Sequence, residues 1–424
     1  MSNEKQSELN RASLLVAFAA AIGMFVGPTP MASAVASLFM VPLSKEFDLS
    51  RTMISAILLV QPITVAIFSA SCGRALDRFG VRPVLLPIII LFAIGMFAMG
   101  LVQNVWQMVA VYVVLGICVS VHCYSSYTKV ISLWFSQHRG LVMGTVITLG
   151  SGLGATIVPQ FVRGWIEEYG WRGAYFGLAG VILVLGFPIL FFFLREPAFA
   201  RVQKQVAGVT ESVLAGLTRT EAMKTRTFWL IFCAIIFAPM AIVGTIAHSV
   251  AMLTERGFDS GTAVTALSSV YIGGMMGYLS SGYLLDKVQT PKIVLPYFTA
   301  ALCGVAILHS TTSASMLVPG AILLGLGQGS EMQLAAYLTS RFFGLKAYGA
   351  IYGSFYAAGN IGIATGIMTM GIAHDMAGGY APMKYVFIGC LVMVLILLGS
   401  LGAYVYKRPT ETDAAAGEAE AVKA

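Results

Sequence analysis

The segment Gly73-Arg74-Ala75-Leu76-Asp77-Arg78 has a weaker copy, Gly282-Tyr283-Leu284-Leu285-Asp286-Lys287, which lies 209 residues further along the chain. Each copy follows a long apolar stretch and ends with an acid followed by a base. Pro28 and Pro239 repeat at nearly the same offset, 211 residues. These matches predict that the 424 residues form two halves built on one plan.

Between its charged residues the chain is unusually apolar. Only 11% of the residues are charged and 58% are apolar, whereas soluble domains carry about 25% charged residues. This composition excludes a disordered chain, a nucleic-acid-binding domain and an ordinary cytosolic enzyme. A helix needs about 20 apolar residues to cross a bilayer. The charge-free windows predict twelve spans, near 12–38, 52–73, 83–103, 106–131, 140–161, 173–194, 227–252, 262–284, 292–309, 314–340, 349–371 and 383–405.

The positive residues predict the orientation. An even number of spans places both termini on one side, and the segments on that side hold nineteen of the 26 Lys and Arg residues. The opposite segments hold six. Because positive residues accumulate on the cytoplasmic side of membrane proteins, we expect both termini in the cytoplasm and the chain in the cell (inner) membrane. Because no short apolar core with a small-residue cleavage site is evident, we expect span 1 to be retained rather than removed as a signal peptide.

The predicted fold is therefore an all-α integral membrane protein with twelve transmembrane helices in two pseudo-symmetric six-helix bundles. The expected units are an N-terminal bundle at 11–195, a cytoplasmic central loop at 196–225, a C-terminal bundle at 226–406 and a disordered cytoplasmic tail at 407–424. Duplicated halves of this kind place a ligand site at their interface near the bilayer midplane.

The stretch from Gly73 to Arg82 closely resembles the signature loop between spans 2 and 3 of the major facilitator superfamily. The resemblance implies alternating access, in which one bundle rocks against the other. It also implies that residues around this loop and its copy act as a gate, with Asp77 accepting hydrogen bonds from Arg139 in one state. The expected gating residues are Gly73, Asp77, Arg78, Arg139 and Asp286.

Other segments are similar to the bacterial monocarboxylate and oxalate/formate-antiporter branch of that superfamily. They are 134–140, 169–175, 327–331 and 340–346. This resemblance implies a small organic anion as the transported solute. The chain departs from the branch in one respect, because spans 8 and 11 contain no basic residue at 262–285 or 349–371.

Charged residues inside the membrane need a reason, because each costs at least about 2.5 kcal/mol near the bilayer centre. Glu331 lies deep in span 10, where its protonated form is favoured, and we expect it to couple transport to a proton. A structural hydrogen bond or ion pair is the alternative. Lys129, near the inner end of span 4, either attracts an anionic solute or extends its amine to the lipid headgroups.

Uncharged polar residues complete the predicted binding site. His122 and Ser126 share one face of span 4 with Lys129 at i, i+4 and i+7 spacing. His122 contacts the solute, passes a proton near neutral pH or is hydrogen-bonded to Ser126 as a structural group. The expected solute ligands are Thr29, His122, Ser126, Lys129, Gln328, Glu331, Tyr337 and Asn360. The proline-containing segments around Pro28 and Pro239 predict interruptions of spans 1 and 7.

These patterns predict a secondary active transporter of a small organic anion, a monocarboxylate or dicarboxylate, by proton symport or anion exchange. The alternatives are a drug/proton antiporter and a neutral-solute carrier of the same superfamily. No catalytic motif or phosphate-binding loop is present in the sequence, so we expect neither an enzyme nor a cofactor or metal. The expected partners are the solute and the lipid bilayer, with no nucleic acid and a monomeric state.

Overall fold

A computed structural model describes residues 10–135, 139–195, 216–287, 290–344 and 346–406. Within these ranges the chain is helical and forms no β-sheet. The helices cross the molecule twelve times in alternating directions, which confirms the predicted architecture. Eight stretches of described helix are long and apolar enough to span a membrane, and one of them, Val142–Phe193, contains two crossings that meet at Gly170.

The first six crossings are numbered in chain order and keep the predicted positions. Several are built from more than one helical piece. Span 1 comprises Arg11–Phe25, Thr29–Ser33 and Ala36–Glu46, span 2 comprises Arg51–Leu58 and Val60–Phe79, and span 3 is Val81–Leu101. Span 4 comprises Val105–Val121 and Tyr124–Trp134. Span 5 comprises Arg139–Ile147, Thr148–Gly152 and the start of Leu153–Val181, and span 6 comprises the rest of that helix, Ile182–Gly186 and Phe187–Phe193.

The last six crossings are more regular. Span 7 is Arg226–Glu255; span 8, Ser260–Lys287; span 9, Pro291–Val294 and Leu295–Ser310; span 10, Ala314–Met316 and Leu317–Phe343; span 11, Tyr348–Ala377; span 12, Met383–Gly399. A short helix, Arg219–Met223, precedes span 7 and is capped by the Thr218 side chain. Residues 196–215 of the predicted central loop and the predicted tail at 407–424 lie outside the described residues.

The molecule has two opposite ends. The terminal face is the end at which span 1 begins and span 12 ends. The distal face is the opposite end and carries the connections 47–50, 102–104, 256–259, 311–313 and 378–382.

Two predictions about helix breaks need correction. Span 7 is one continuous helix that contains Pro239, so the expected interruption there is wrong. Gly244 instead allows a close approach, since a Cβ atom there would lie 3.0 Å from the Gly366 carbonyl carbon and oxygen. Conversely, span 4 is broken at His122 and Cys123, where the backbone becomes extended.

Glycines also set the closest helix pair. Spans 8 and 10 approach so tightly that a side chain at Gly325 would overlap the Val270 carbonyl, and one at Gly273 or Gly277 would overlap the backbone of span 10. Helices in lipid have no hydrophobic driving force for association and depend on close packing instead. Small residues favour association because they let two backbones approach closely.

Candidate functional site

A cavity of about 240 Å³ lies between the two bundles. Its wall is contributed by spans 1, 2, 3, 4 and 6 of the first half and by spans 7, 8, 10 and 11 of the second. The lining residues are Thr29, Ala32, Ser33, Val35, Ala36, Leu58, Gln61, Pro62, Met96, Tyr112, Leu115, Tyr124, Tyr175, Val243, Ile246, Ala247, Tyr271, Gln328, Asn360, Ile363 and Ile367. The cavity therefore occupies the position that duplicated bundles give to a ligand site.

The cavity wall is polar in places but uncharged. None of the described residues that line it carries a formal charge. Its hydrogen-bonding groups are hydroxyls and amides, and four tyrosines supply much of them: Tyr112, Tyr124, Tyr175 and Tyr271. Hydroxyl and amide groups both donate and accept hydrogen bonds. The wall can therefore bind a neutral polar group that is either a donor or an acceptor.

Gln61 gives the wall an unused donor. Its Nε2 atom is buried and has no hydrogen-bond partner among the described residues. A buried polar group without a partner costs free energy. A solute that presents an oxygen acceptor to Gln61 would recover that cost.

A chain of hydroxyls crosses the cavity wall within the first bundle. The Tyr124 hydroxyl lies 2.9 Å from Ser151 Oγ and 3.4 Å from Thr29 Oγ1. These three residues belong to spans 4, 5 and 1, and each lies in or beside an irregular helical segment. The irregular backbone thus delivers polar side chains to one place.

The predicted solute ligands fall into two groups. Thr29, Gln328 and Asn360 lie on the cavity wall. The Asn360 amide also donates to the Tyr356 carbonyl at 2.9 Å. Five others lie outside that wall: His122, Ser126, Lys129, Glu331 and Tyr337. The role of each as a solute ligand stays a prediction.

Glu331 is buried beside the cavity. Its side chain is 8% exposed and follows Gln328 by three residues, so it lies on the same helix face about 4.5 Å further toward the terminal face. Its carboxyl group forms no hydrogen bond or ion pair with the described residues, and Tyr352 of span 11 is near enough to interact with it electrostatically.

Lys129 and Tyr337 lie nearer the terminal face. Lys129 Nζ donates to the Leu76 carbonyl at 3.4 Å, which ties the second helix of span 4 to span 2. Tyr337 packs against Tyr404, with ring centroids 5.8 Å apart, and lies under the guanidinium of Arg341. Tyr337 therefore packs within the second bundle.

The predicted gating residues also lie toward the terminal face. Apart from the local helix backbone, no described atom lies within 4 Å of a Cβ position at Gly73, and the Arg78 guanidinium lies 5.3 Å from the Phe79 ring centroid. The side chains of Asp77, Arg139 and Asp286 lie outside the described residues. A gating role for these five residues stays a prediction.

The distal face is closed by a polar network that joins the bundles. Arg51 of span 2 forms an ion pair with Glu255 of span 7 at 3.0 Å. Asp375 of span 11 accepts hydrogen bonds from the backbone N–H groups of Arg51 and Thr52 at 3.1 and 2.7 Å. His374 completes the network through Glu255 at 3.1 Å. Asp375 thus caps the first turn of a helix in the other bundle.

A second, buried layer of contacts lies beneath this network. Ser37 accepts from the Val250 backbone N–H at 2.9 Å, and Gln160 donates to Ser268 at 3.1 Å. Ser55 lies 3.2 Å from His248, which also contacts the Ile367 carbonyl and Tyr380. His248 is fully buried, although its place near the outer end of span 7 in the sequence favours a position at the membrane interface.

Gly371 allows the closest approach at the distal face. A Cβ atom there would overlap Ser55 Oγ and lie 2.6 Å from the Arg51 carbonyl oxygen. By contrast, Gly349 and Gly353, at the terminal end of the same span 11, have no described atom beyond their own helix within 4 Å of their Cβ positions. Among these three glycines, the close approach of span 11 to span 2 is therefore the one at the distal face.

This chain is similar to known proteins in both sequence and fold. The family model described as Major Facilitator Superfamily matches residues 13–367. The gallate transporter of Pseudomonas putida is 23% identical over 77% of this chain and 81% of its own length. Monocarboxylate transporter 13 of Rattus norvegicus is 25% identical over 78% and 76%. The crystal structure of a D-xylose-proton symporter matches 92% of this chain and 98% of its own, with a TM-score of 0.71 and 14% identity.

Proposed function

The chain belongs to the major facilitator superfamily, and on that premise we propose that it carries a small monocarboxylic acid through the membrane together with a proton. The cavity between the bundles is the binding site in this proposal. The observation that carries it is the uncharged wall, in which Gln61, Gln328, Asn360 and the tyrosines are the groups that meet the solute.

The uncharged wall constrains the form in which an acid can bind. A carboxylate buried without a cationic partner is strongly destabilised. An acid that brings its own proton avoids that cost, and a carboxylate that accepts a hydrogen bond from a protonated carboxyl group nearby reduces it. Glu331, one turn beyond Gln328, is the proposed proton-carrying group. Proton symport therefore fits this wall better than exchange of bare anions.

The organic-acid class draws support from two directions. Relatives of this chain include proteins named for gallate and monocarboxylate transport. Lys129 adds a cation to span 4, five residues beyond Tyr124 and toward the terminal face, where it would attract an anion that approaches the cavity.

The orientation and conformation are part of the proposal. We propose that both termini lie in the cytoplasm, which the excess of Lys and Arg on the terminal face supports, and that the protein is a monomer in the cell (inner) membrane. The distal face is then the outer face, and its network closes the cavity toward the outside. The described conformation, which is closed at the distal face, is in this account one of the states between which the protein alternates.

A neutral solute is the second candidate, favoured by the same uncharged wall. A drug/proton antiporter is less consistent with it, because a cationic drug would find no counter-charge on the described wall.

Uptake into proteoliposomes separates these candidates. We expect at least one labelled acid among pyruvate, benzoate and gallate to accumulate when the exterior is made acidic, and a protonophore to abolish the accumulation. Labelled D-xylose serves as the neutral probe. Entry of D-xylose without dependence on the pH gradient, with no accumulation of any acid, would instead establish the neutral-solute carrier.

The variant Gln61→Ala tests the proposed binding wall in the same assay. Loss of a donor to a carboxyl group costs about 1.5–3 kcal/mol, so KM for the accumulated acid should rise by roughly 10- to 150-fold. Gln107→Ala is the matched control, because Gln107 is exposed at the distal face and lies outside the cavity. Equal KM values for the two variants would remove Gln61 from the binding site.

A further inference from the structure

The breaks in spans 1 and 4 lie against each other beside the cavity. The first helix of span 1 ends at Phe25, and Pro28 lacks the N–H that would continue it. The first helix of span 4 ends at Val121 and the next begins at Tyr124. No proline or glycine explains this second break, so other contacts must stabilise it.

The break in span 1 leaves a backbone carbonyl without its usual partner. The Gly27 N–H donates to the Met24 carbonyl at 3.2 Å instead of to Gly23, its helical i−4 acceptor. His122 of span 4 replaces the missing N–H donor, because its Nε2 atom lies 2.9 Å from the Gly23 carbonyl oxygen. Because a carbonyl oxygen only accepts, Nε2 must carry the hydrogen.

The surroundings of His122 favour the neutral ring. The side chain is 1% exposed, and the rings of Phe92 and Tyr127 lie with their centroids 5.8 and 5.6 Å away. Its Nδ1 atom is buried and has no partner among the described residues. A protonated imidazole would need a second acceptor at that atom.

Ser126 stabilises the same break from within span 4. Its hydroxyl donates to the Val121 carbonyl, the last one of the first helix. Ser126 and His122 therefore both satisfy carbonyl groups that the breaks expose, and neither lies on the cavity wall. Both are buried within the first bundle.

The residues that follow the two breaks face the solute. Thr29 begins the helical turn after the break in span 1, and Tyr124 begins the second helix of span 4. Both line the cavity, and their hydroxyl oxygens lie 3.4 Å apart. We infer that His122 is a positioning residue: its bond to Gly23 makes the two breaks one mechanical unit that holds Thr29 and Tyr124 together in the cavity. This inference does not depend on which solute is carried.

Hydrogen–deuterium exchange of the full chain in lipid nanodiscs tests this unit without any solute. The variants are His122→Asn and His122→Gln, because a glutamine amide nitrogen reaches the position of Nε2 whereas that of asparagine reaches only the position of Nδ1. In His122→Asn, we expect exchange on the order of tenfold faster in peptides covering 20–34 and in peptides covering 117–127. His122→Gln should keep the wild-type rates in both.

The peptides in which exchange becomes faster show whether His122 joins the breaks in spans 1 and 4 or supports span 4 alone. Peptides covering 263–281 of span 8 serve as an internal control and should exchange at the same rate in all three proteins. Faster exchange in 117–127 alone would show that His122 supports only span 4 and would overturn the inference. Equal acceleration in His122→Gln and His122→Asn would overturn it as well. Thermal unfolding of each variant shows whether global stability contributes.

Discussion

Replacement of Glu331 with glutamine should abolish accumulation of the acid driven by a proton gradient while leaving exchange of internal for external solute intact. Glutamine resembles the protonated carboxyl group and cannot release a proton. A gradient of one pH unit supplies about 1.4 kcal/mol, which sustains roughly tenfold accumulation in a one-to-one symporter. The variant should show no accumulation above the equal-concentration level.

The position of Glu331 is the reason for this expectation. The carboxyl group is 8% exposed and has no hydrogen-bond or ion-pair partner among the described residues. An ionised group in that place is uncompensated, so the protonated form is favoured in this conformation. Opening of the cavity to water would favour release. Proton binding and the conformational change are coupled in this way because each state prefers a different protonation form.

Glu167→Gln is the matched control for that experiment. Glu167 lies near the distal end of span 5 and is exposed, with an ion pair to Arg163 at 3.6 Å. We expect the control to accumulate acid like the wild type. Full accumulation by Glu331→Gln would remove this residue from proton coupling and leave it a structural role.

The second large effect concerns closure of the distal face. Gly371→Leu should prevent that closure, because any side chain there overlaps Ser55 and the Arg51 backbone. Overpacking of such a contact costs about 1–3 kcal/mol, which lowers the population of the distal-closed state by roughly 5- to 150-fold. Net uptake should fall by a similar factor, since a transporter that cannot close one face cannot complete the cycle.

Gly389→Leu controls for the added side chain. Gly389 lies in span 12 and no described atom beyond its own helix lies within 4 Å of its Cβ position, so leucine has room there. We expect near-normal uptake from this variant. Uptake by Gly371→Leu at the level of Gly389→Leu would show that the contact between spans 2 and 11 is unimportant for the cycle.

The architecture could be predicted because it follows from signals that are local in the sequence. Each membrane span must satisfy its own backbone hydrogen bonds and is bounded by charged residues. The windows free of charge therefore located each helix, although the predicted ends of spans 1, 2, 5, 11 and 12 differ from the observed ends by six residues or more. Pro28 marked a break in span 1, but Pro239 did not break span 7, since neighbouring helices support a proline inside a membrane helix.

The site was harder to predict because it depends on which helix faces meet. Thr29, Gln328 and Asn360 stand out as polar residues in apolar spans, and the structure places them on the cavity wall. The four wall tyrosines carry no such signal, because tyrosine is equally common at membrane interfaces. The break at His122 contains neither glycine nor proline and was not foreseen.

The sequence did not predict the distal network, for a related reason. Arg51, Glu255 and Asp375 lie at the ends of spans, where charged residues are expected for topology alone. Their pairing joins residues more than 200 positions apart in sequence. Only the packing of the two bundles brings them together, and nothing in the local sequence indicates that packing.

Rocking of the two bundles about the cavity is the central claim, and paired distance measurements test it most directly. Spin labels would be placed at exposed positions, one pair at Gln103 and Ser315 on the distal face and the other at Phe79 and Lys346 on the terminal face. The labels require a variant without the six native cysteines whose uptake matches that of the wild type. Distances would be recorded in nanodiscs at several pH values, with and without the transported acid. The account predicts two populations in which a longer distal distance accompanies a shorter terminal one. Distances that lengthen together at both faces, or that stay fixed under every condition, would contradict it.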